Sequence, residues 1–435
     1  MKKWLRSMVF VFVLVLSAML FPGKEVFADD GWGTWGDNVK WHFYESKGLL
    51  QIEGEGAMLD KGQYDERLMP WYSYRKNVKK VVIGKGITHV CNAAFSGYSD
   101  LSSVSLPDTV TSIGRLSFYK TGLKKVVLPD KLVSVDYNSF AYCESLQSVV
   151  IPGTLKTVAG GSFQGCKNLS SIKINEGVEV LEWGCFKGTG IKVVDIPASV
   201  TTISSAFEQC DKLDHITIPK TVTKLTGDLC FGCDLLRYAI VEAQCGIPEG
   251  TFGGCSNLVA VKLGEGVTSI DYFSFWDDKK LAVMFVPASV TKINDSAFYG
   301  GTQNLTLYGY TDTAAYNYAG MNQFVKFVDV SAQGMSTWEK AWNKAIKENA
   351  VSEGAKKTMT FTSLSVKKGA TKITGKLSVS GATVKVQVGN AKYKKAAVKK
   401  NTFSIKTPKL KKGTIVRIRV TKNGYKTLSK LVKIK

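Results

Sequence analysis

The sequence predicts a mostly β protein, in which a solenoid of about ten coils with capping segments is followed by a small β-sandwich. Three observations lead to this fold class. A pattern of apolar residues recurs from Leu101 to Leu305, phenylalanines recur every 21 to 24 residues, and the composition changes at both ends of that stretch. A fixed period of this length indicates stacked units that share one core.

One repeat unit shows how a coil forms. In Leu146–Ile151 apolar residues alternate with others, as in a half-buried strand. Pro152 has no N–H to donate, so it ends the strand and turns the chain. Leu155 and Val158 then point inward, and Phe163 fills the far side. A period of roughly 20–29 residues with this core is typical of a leucine-rich-repeat solenoid. The phenylalanines that mark the coils are Phe95, Phe118, Phe140, Phe163, Phe186, Phe207, Phe231, Phe252, Phe275 and Phe298.

Residues 1–28 are predicted to be a secretory signal peptide. Lys2, Lys3 and Arg6 precede an apolar run from Met8 to Phe21, which falls short of the ~20 residues that a bilayer span needs. Ala28 offers the small residue that signal peptidase requires. An uncleaved anchor is the alternative. Because no later run is long and apolar enough, we expect an exported protein without a transmembrane segment.

Residues 29–76 are predicted to form an N-terminal cap. The segment is rich in aromatic residues, among them Trp32, Trp35, Trp41 and Trp71. A solenoid's first coil exposes an apolar end that must be covered, and buried aromatic side chains supply much of the energy of small cores. A role in stacking on carbohydrate is the alternative for these residues.

Residues 77–330 contain the solenoid with its closing segment, and residues 331–358 are predicted to be a helical linker. Thr313–Ala319 has helical character and Gln323–Asp329 that of a last strand, so together they would cover the other open end. In the linker, Ser336-Thr-Trp-Glu339 fits a capping box before apolar residues at helical spacing. Its Trp residues could also pack on a neighbouring domain.

Residues 359–435 are predicted to be a separate, small and basic β-sandwich. Thr383–Val388, Thr402–Ile405 and Thr414–Val420 are β-branched or alternating, and Gly, Asn and Pro separate them at short intervals. Residues 351–435 hold 21 Lys and 2 Arg against one acid, Glu353, so this segment carries the whole chain's net charge of +22. Such a domain on an exported protein favours polyanionic partners, namely anionic cell-wall polymers, with anionic membranes and sulfated host glycans as further candidates, and nucleic acid fits the location poorly. A merely solubilising surface is the alternative.

The nine cysteines follow the repeat. Cys143, Cys166, Cys210 and Cys255 each lie three residues after a repeat phenylalanine and Cys233 lies two after Phe231, so these five are expected to form a packed column. An odd number in an exported chain leaves at least one thiol without a disulfide within the chain. Cys230 and Cys233, with Cys245 and Cys255, offer four possible zinc ligands, but two of them belong to the column, so no metal is expected.

No catalytic or cofactor-binding motif is evident. The histidines are His42, His89 and His215, and the last follows Asp214. Because neighbours on a strand face opposite sides, Asp214 and His215 are not expected to act together. The nucleophile-elbow, zinc-protease, P-loop and dinucleotide signatures are missing from the sequence. We therefore expect neither an enzyme nor a cofactor, although a wall-targeted hydrolase with an unrecognised active site is the alternative.

The repeat resembles the BspA-type (leucine-rich repeat 5) family of bacterial surface proteins. Ile196–Cys210 and Val286–Phe298 are close matches to its unit, Gly54–Met58 resembles part of its leading cap, and Tyr308–Ala319 resembles its closing segment. The C-terminal domain is similar to bacterial Ig-like domains, with weaker matches. The resemblance implies an exported cell-surface protein that mediates adhesion by binding a host or bacterial protein or glycan. Because the chain ends without an LPxTG-like sorting signal, we expect it to be secreted or attached to the surface non-covalently.

The predicted ligand-binding face is the concave side of the solenoid. In each repeat strand the residues between the inward apolar ones face outward, and extended concave surfaces of solenoids bind ligands. The face becomes more apolar and aromatic towards its C-terminal end, which is typical of an interaction site. As the alternative, Ile240 and Phe285 pack under the tail domain or the linker. The predicted binding residues are Asp195, His215, Thr217, Tyr238, Ile240, Val283 and Phe285.

Overall fold

The computed structural model describes residues 31–36, 38–60, 65–349, 361–380, 382–388, 391, 394–421 and 428–434. They form two compact units, which comprise residues 31–349 and residues 361–434. The predicted signal peptide lies outside the described residues. In the described part of the chain, no helix combines the length and the apolar character needed to cross a bilayer.

The first unit is a solenoid of about eleven turns, as the repeat predicts. Most coils contribute one strand to a first parallel ladder, where alternation buries Val149 and Ile151 and turns Ser148 and Val150 outward. The first ladder comprises Leu49–Gly54, Lys80–Ile83, Ser103–Ser105, Ser148–Ile151, Ser171–Ile174, His215–Ile218, Tyr238–Val241, Ala260–Leu263, Val283–Phe285, Leu305–Gly309 and Val325–Asp329. The second ladder comprises Gly56–Ala57, Ile87–Val90, Ser112–Ile113, Ser134–Val135, Thr157–Val158, Val180–Leu181, Thr202–Ser204, Lys224–Thr226, Ser269–Ile270 and Lys292–Ile293.

The third side of each coil is a turn that also forms a ladder, which we call the turn ladder. The N–H of Phe118 donates to the carbonyl of Ser139 at 2.8 Å, and the N–H of Phe140 continues the series to the next coil. In most coils the residues two before and two after the phenylalanine have left-handed backbone torsions, as Asn138 (φ 56°) and Tyr142 (φ 59°) do around Phe140. Where both are present, these paired left-handed residues mark the register of the turn.

The repeat phenylalanines stack in a column through the core. Ring centroids of Phe118 and Phe140 are 5.0 Å apart with planes 4° from parallel. The prediction that Phe231 belongs to this column is wrong. Cys230 is fully buried in its place, while Phe231 is half-exposed and stacks on Trp276. The physical reason is the turn register, because Asp228 and Gly232, the left-handed pair of this coil, flank Cys230.

A second column lies three residues after the first, and it contains most of the thiols. Each Sγ lies near a carbonyl of the preceding coil, as in Cys143 to Phe118 at 3.1 Å and Cys233 to Phe207 at 3.1 Å. All nine cysteines are free thiols. Asp278 occupies the same position in a later coil, where its Oδ1 accepts from the N–H of Cys255 at 2.8 Å. Its Oδ2 is buried without a hydrogen-bond partner in the described residues.

The N-terminal segment covers the first coil. Strands Gly33–Thr34 and Val39–Tyr44 extend Leu49–Gly54 in antiparallel order, and Leu49–Gly54 pairs in parallel with Lys80–Ile83. Trp71 is fully buried at the end of the phenylalanine column, where its ring stacks 6.1 Å from that of Phe95. Three 3₁₀ turns complete the segment, at Glu45–Lys47, Glu66–Leu68 and Tyr72–Tyr74. The aromatic residues therefore build much of the cap's core, although Trp32 and Tyr74 remain exposed.

The other end is closed by a helix and a strand, followed by two more helices. Helix α1 (Ala314–Met321) places Tyr318 against Phe298, with ring centroids 5.6 Å apart. Helix α2 is Val330–Gln333, and helix α3 is Met335–Glu348. The predicted capping box is wrong, because α3 begins after Gly334 and Ser336 therefore lies inside its first turn.

The second unit consists of two antiparallel four-stranded sheets. One contains Phe361–Ser365, Lys372–Leu377, Thr402–Lys406 and Ala397–Lys399, and the other contains Lys394–Lys395, Thr383–Val388, Ile415–Thr421 and Leu428–Lys433. Phe403 of the first sheet and Val384 and Val416 of the second belong to one buried cluster. Two sheets that share one core form a small β-sandwich.

Candidate ligand-binding face

The outward residues of the first ladder form two rows along the solenoid. The strand register aligns His215, Tyr238, Ala260 and Val283 in one row. It aligns Thr217, Ile240, Lys262 and Phe285 in the other row. The structure thus brings six of the seven predicted binding residues into two adjacent rows. Asp195, the seventh, is exposed in the preceding coil.

Helix α3 covers the apolar end of this face. The ring of Trp338 is buried between Phe285 and Tyr308, at centroid distances of 5.7 and 5.4 Å. Trp342 meets the ring of Tyr238 edge-on at 5.6 Å. Phe285 is only 4% exposed as a result, and Val283 is also buried. For Phe285 the structure agrees with the alternative in which the linker covers the apolar patch, while Ile240 stays half-buried.

A charged network stands where the covered part of the face begins. Nε and Nη2 of Arg237 donate to the carboxylate of Asp214, at 2.6 and 2.8 Å, and Nη1 of Arg237 donates to the carbonyl of Ile346 in α3 at 3.4 Å. Partial burial raises the pKa of Asp214, but the hydrogen bonds from Arg237 and His215 outweigh it, so the pKa is below its usual value. This network ties α3 to the sheet edge.

The expectation that Asp214 and His215 point to opposite sides is wrong. Nδ1 of His215 lies 2.9 Å from Oδ2 of Asp214, and the imidazole also stacks on Tyr238 with ring centroids 4.8 Å apart. The strand begins at His215, so the alternation rule does not apply to Asp214, which precedes it. Arg237 in the next coil holds the carboxylate on the outward side.

The part of the face before Tyr238 is open. Three valines point into solvent there, since Val127 is 66% exposed, Val150 50% and Val193 43%. Polar residues surround them, among them the exposed Lys125 and Lys173. Strand alternation already places these valines outward, but the predicted site lies at the aromatic end, because aromatic residues are the stronger interaction signal. The signal for the open end is the outward β-branched residue that three of these four coils carry.

The described residues also bear on metal binding and catalysis. Among them, no three His, Cys, Asp or Glu side chains converge on a point that could hold a metal ion. Cys230, Cys233 and Cys255 are buried in the core, and Cys245 is half-buried.

Comparisons with known proteins agree with the fold. The model of the BspA type leucine rich repeat region matches residues 71–189, 133–246 and 181–306, so it spans more than half of the chain. A comparison with curated proteins finds no match.

Three solved bacterial structures are similar to this chain. A leucine-rich repeat protein from Bacteroides ovatus is 21% identical over 67% of this chain and 98% of that chain, with a TM-score of 0.41. A leucine rich cell surface protein from Faecalibacterium prausnitzii is 21% identical over 66% and 97% of the respective chains, with a TM-score of 0.34. A leucine-rich repeat protein from Eubacterium ventriosum is 22% identical over 62% and 94%, also with a TM-score of 0.34.

Proposed function

This chain belongs to the family of BspA-type leucine-rich repeat proteins, and from that premise we propose that it is an exported bacterial surface protein that binds a macromolecular partner. Membership in this family fits a cell-surface binding role. The observation that carries the proposal is the open face from Lys125 to Thr217, where exposed valines alternate with polar residues. Apolar groups held in solvent and surrounded by polar residues mark interaction surfaces. No observation in the described residues favours the alternative of a hydrolase.

The partner of this face is a surface protein or glycan of the host or of a neighbouring bacterium. Three valines in four successive coils offer apolar contact area, while Lys125, Lys173 and Asp195 offer charges of both signs. Backbone hydrogen bonds between the stacked coils hold this surface in place, so little conformational entropy is lost when a partner binds. We propose that Asp195 and Thr217 contact the partner directly, and that His215 contacts it at the edge of the covered region.

Replacing Val127, Val150 and Val193 together with serine is expected to weaken binding at least tenfold, because the contact loses its apolar centre. The partner is first captured from host and bacterial surface extracts with the full-length mature chain, and its affinity is then measured by surface plasmon resonance. The matched control is Val133→Ser, since Val133 is 58% exposed but directly precedes Ser134–Val135, a strand of the second ladder. Unchanged affinity in the triple variant, with an unchanged melting curve, would exclude this face.

The second unit is proposed to hold the protein on anionic wall polymers. Lys372 stands directly opposite Lys406 on neighbouring strands, and Lys385 stands opposite Lys395. Like charges directly opposite each other destabilise a sheet, and all four lysines are exposed. The sequence provides no Asp or Glu after Glu353 to neutralise them. A surface that keeps unbalanced positive charge at a cost in stability suits a polyanionic partner.

Binding of the full-length chain to purified teichoic acid is expected to be clear at 50 mM salt and to fall steeply as salt rises. The reason is that the Debye length shrinks from about 10 Å at 0.1 M to about 3 Å at 1 M, so exposed charges are screened. Co-sedimentation across a salt series measures the effect, and an uncharged polysaccharide serves as the control ligand. Retention of the complex at 1 M salt, or no complex at low salt, would rule out an electrostatic tether.

A further inference from the structure

We propose that the solenoid carries a second binding site, which takes a linear polysaccharide of neutral or N-acetylated sugars, on the turn ladder around Trp183 and Tyr137. The site lies away from the first ladder and does not depend on the function proposed for that face. Three features carry the inference: two near-parallel exposed rings, a glycine that makes room for one of them, and two oriented carboxylates beside them.

The ring of Trp183 lies flat on the neighbouring coil. A Cβ atom at Gly160 would stand 2.5 Å from Cε2, 2.6 Å from Nε1 and 3.0 Å from Cδ2 of the indole. Three ring atoms at nearly equal distance mean that the ring's face, rather than its edge, covers the glycine. Trp183 is nevertheless 52% exposed, so its opposite face is open to solvent.

Tyr137 extends the aromatic surface. Its ring is 6.2 Å from that of Trp183, centroid to centroid, and the two planes differ by 19°. Tyr137 and Trp183 come from coils on either side of the coil that contains Gly160, so the rings meet above the glycine. Phe231 and Trp276 repeat this arrangement around Gly253, with ring planes 2° apart. Aromatic residues placed across a glycine of the intervening coil are therefore a recurring device of this solenoid.

Two carboxylates flank the rings, and each is fixed by a backbone group. Oδ1 of Asp136 accepts from the N–H of Tyr137 at 2.6 Å, and Oε2 of Glu182 accepts from the N–H of Gly160 at 2.9 Å. The second oxygen of each carboxylate has no hydrogen-bond partner among the described residues. Asp136, Glu182 and Tyr137 line an open groove of about 290 Å³, which also contains Ser134, Asp60 and His89.

This combination fits a sugar better than it fits other ligands. The face of an aromatic ring carries negative charge density, which attracts the weakly positive C–H groups on one side of a pyranose. Fixed carboxylate oxygens then accept from hydroxyl or amide N–H groups at its edge. The groove is open and is lined by residues of consecutive coils from Asp60 to Glu182, so it suits a linear chain. A lysine-rich peptide is the other ligand that two carboxylates could attract.

The test uses isothermal titration of the full-length mature chain with three probes, namely linear hexamers of β-linked N-acetylglucosamine, β-linked glucose and α-linked glucose. At least one is expected to bind with a Kd of about 1 mM or tighter. Trp183→Ala and Gly160→Ala should each weaken that binding at least tenfold. Gly160→Ala keeps the indole, but the added Cβ atom would displace it from its position over residue 160. The φ of Gly160 lies outside the left-handed region, so the backbone tolerates alanine. Asp136→Asn should weaken binding several-fold.

The matched control is Trp276→Ala, which removes an exposed indole far from the groove and should leave the affinity unchanged. Melting curves of all variants establish that they are folded. Three results would overturn the proposal: no hexamer binds at millimolar concentration, the Trp183 and Gly160 variants bind as the parent does, or the Trp276 variant loses as much affinity as they do. If a lysine-rich peptide binds and displaces the hexamer, and Asp136→Asn weakens the peptide while Trp183→Ala does not, the groove would be assigned to peptides instead.

Discussion

Replacing Phe163 with alanine is expected to lower the free energy of unfolding by about 3–5 kcal/mol, the usual cost of deleting a fully buried aromatic ring. Phe163 is buried between Phe140 and Phe186, whose ring centroids lie 5.4 and 5.8 Å away. In a solenoid each coil is stabilised by its two neighbours. The cavity should therefore loosen three coils together and broaden the urea transition that circular dichroism follows.

Phe231→Ala is the matched control for this experiment. Phe231 has the same place in the sequence repeat, but it lies outside the buried column and packs on Trp276 at the surface. Its loss should cost less than about 1 kcal/mol, as do most changes at the surface. Equal losses for the two variants would mean that Cys230 does not replace Phe231 in the core.

Replacing Asp278 with asparagine is expected to stabilise the protein at neutral pH and not at pH 4. Burial raises the pKa of the Asp278 carboxyl well above its usual range, because the charged form would lie in the core with Oδ2 unpaired. Asparagine removes the charge and keeps an oxygen that can accept from the N–H of Cys255. At low pH the variant is expected to be no more stable than the parent, since its buried NH₂ group then replaces a protonated carboxyl.

The direction of the pH effect follows from proton linkage. A carboxyl whose pKa is raised in the folded state binds more protons there than in the unfolded state, so stability falls as pH rises from the unfolded pKa towards the folded one. The difference between variant and parent should therefore grow by about 1.4 kcal/mol for each pH unit in that window. Thermal and urea unfolding between pH 4 and pH 8 measure this difference.

Asp277→Asn provides the control for the pH series. Asp277 is the next residue, but its side chain is partly exposed and pairs with Lys279 at 3.0 Å. Its change should shift stability by no more than about 1 kcal/mol, as expected for a surface ion pair. A stability difference between the Asp278 variant and the parent that stays constant from pH 4 to pH 8 would contradict the assignment of a buried, protonated carboxyl.

The period of the sequence was sufficient to predict the solenoid, because stacked coils require the same inward residues in each turn. Which residue of a coil enters the buried column was harder to predict where two candidate residues are adjacent in the sequence. Phe231 looked like the column residue because phenylalanine fills that position in the other marked coils. Cys230 occupies that position instead. Its spacing to Cys233 indicates this, because Phe140 and Phe163 also precede Cys143 and Cys166 by three residues.

The candidate face was predictable only in part. Strand alternation was enough to identify which side chains point outward, because that depends on local geometry. Whether they remain in solvent depends on a segment about 50 to 100 residues later. Trp338 and Trp342 lie at helical spacing, which predicted α3 as a helix, but no local rule says where an amphipathic helix will dock. Phe285 was therefore predicted to be an exposed binding residue, although α3 buries it.

The column of free thiols makes the order of events during folding important. Burial raises the pKa of the Cys185 and Cys255 thiols well above its usual range, so the reactive thiolate is scarce once the coils have closed. Before that point, the thiols of the proposed exported protein would meet an oxidising exterior. A disulfide between cysteines of distant coils, such as Cys91 and Cys255, would keep those coils from stacking in their proper order. The coils therefore have to fold faster than their thiols oxidise. Contacts between adjacent coils are local in sequence, and local contacts favour fast folding.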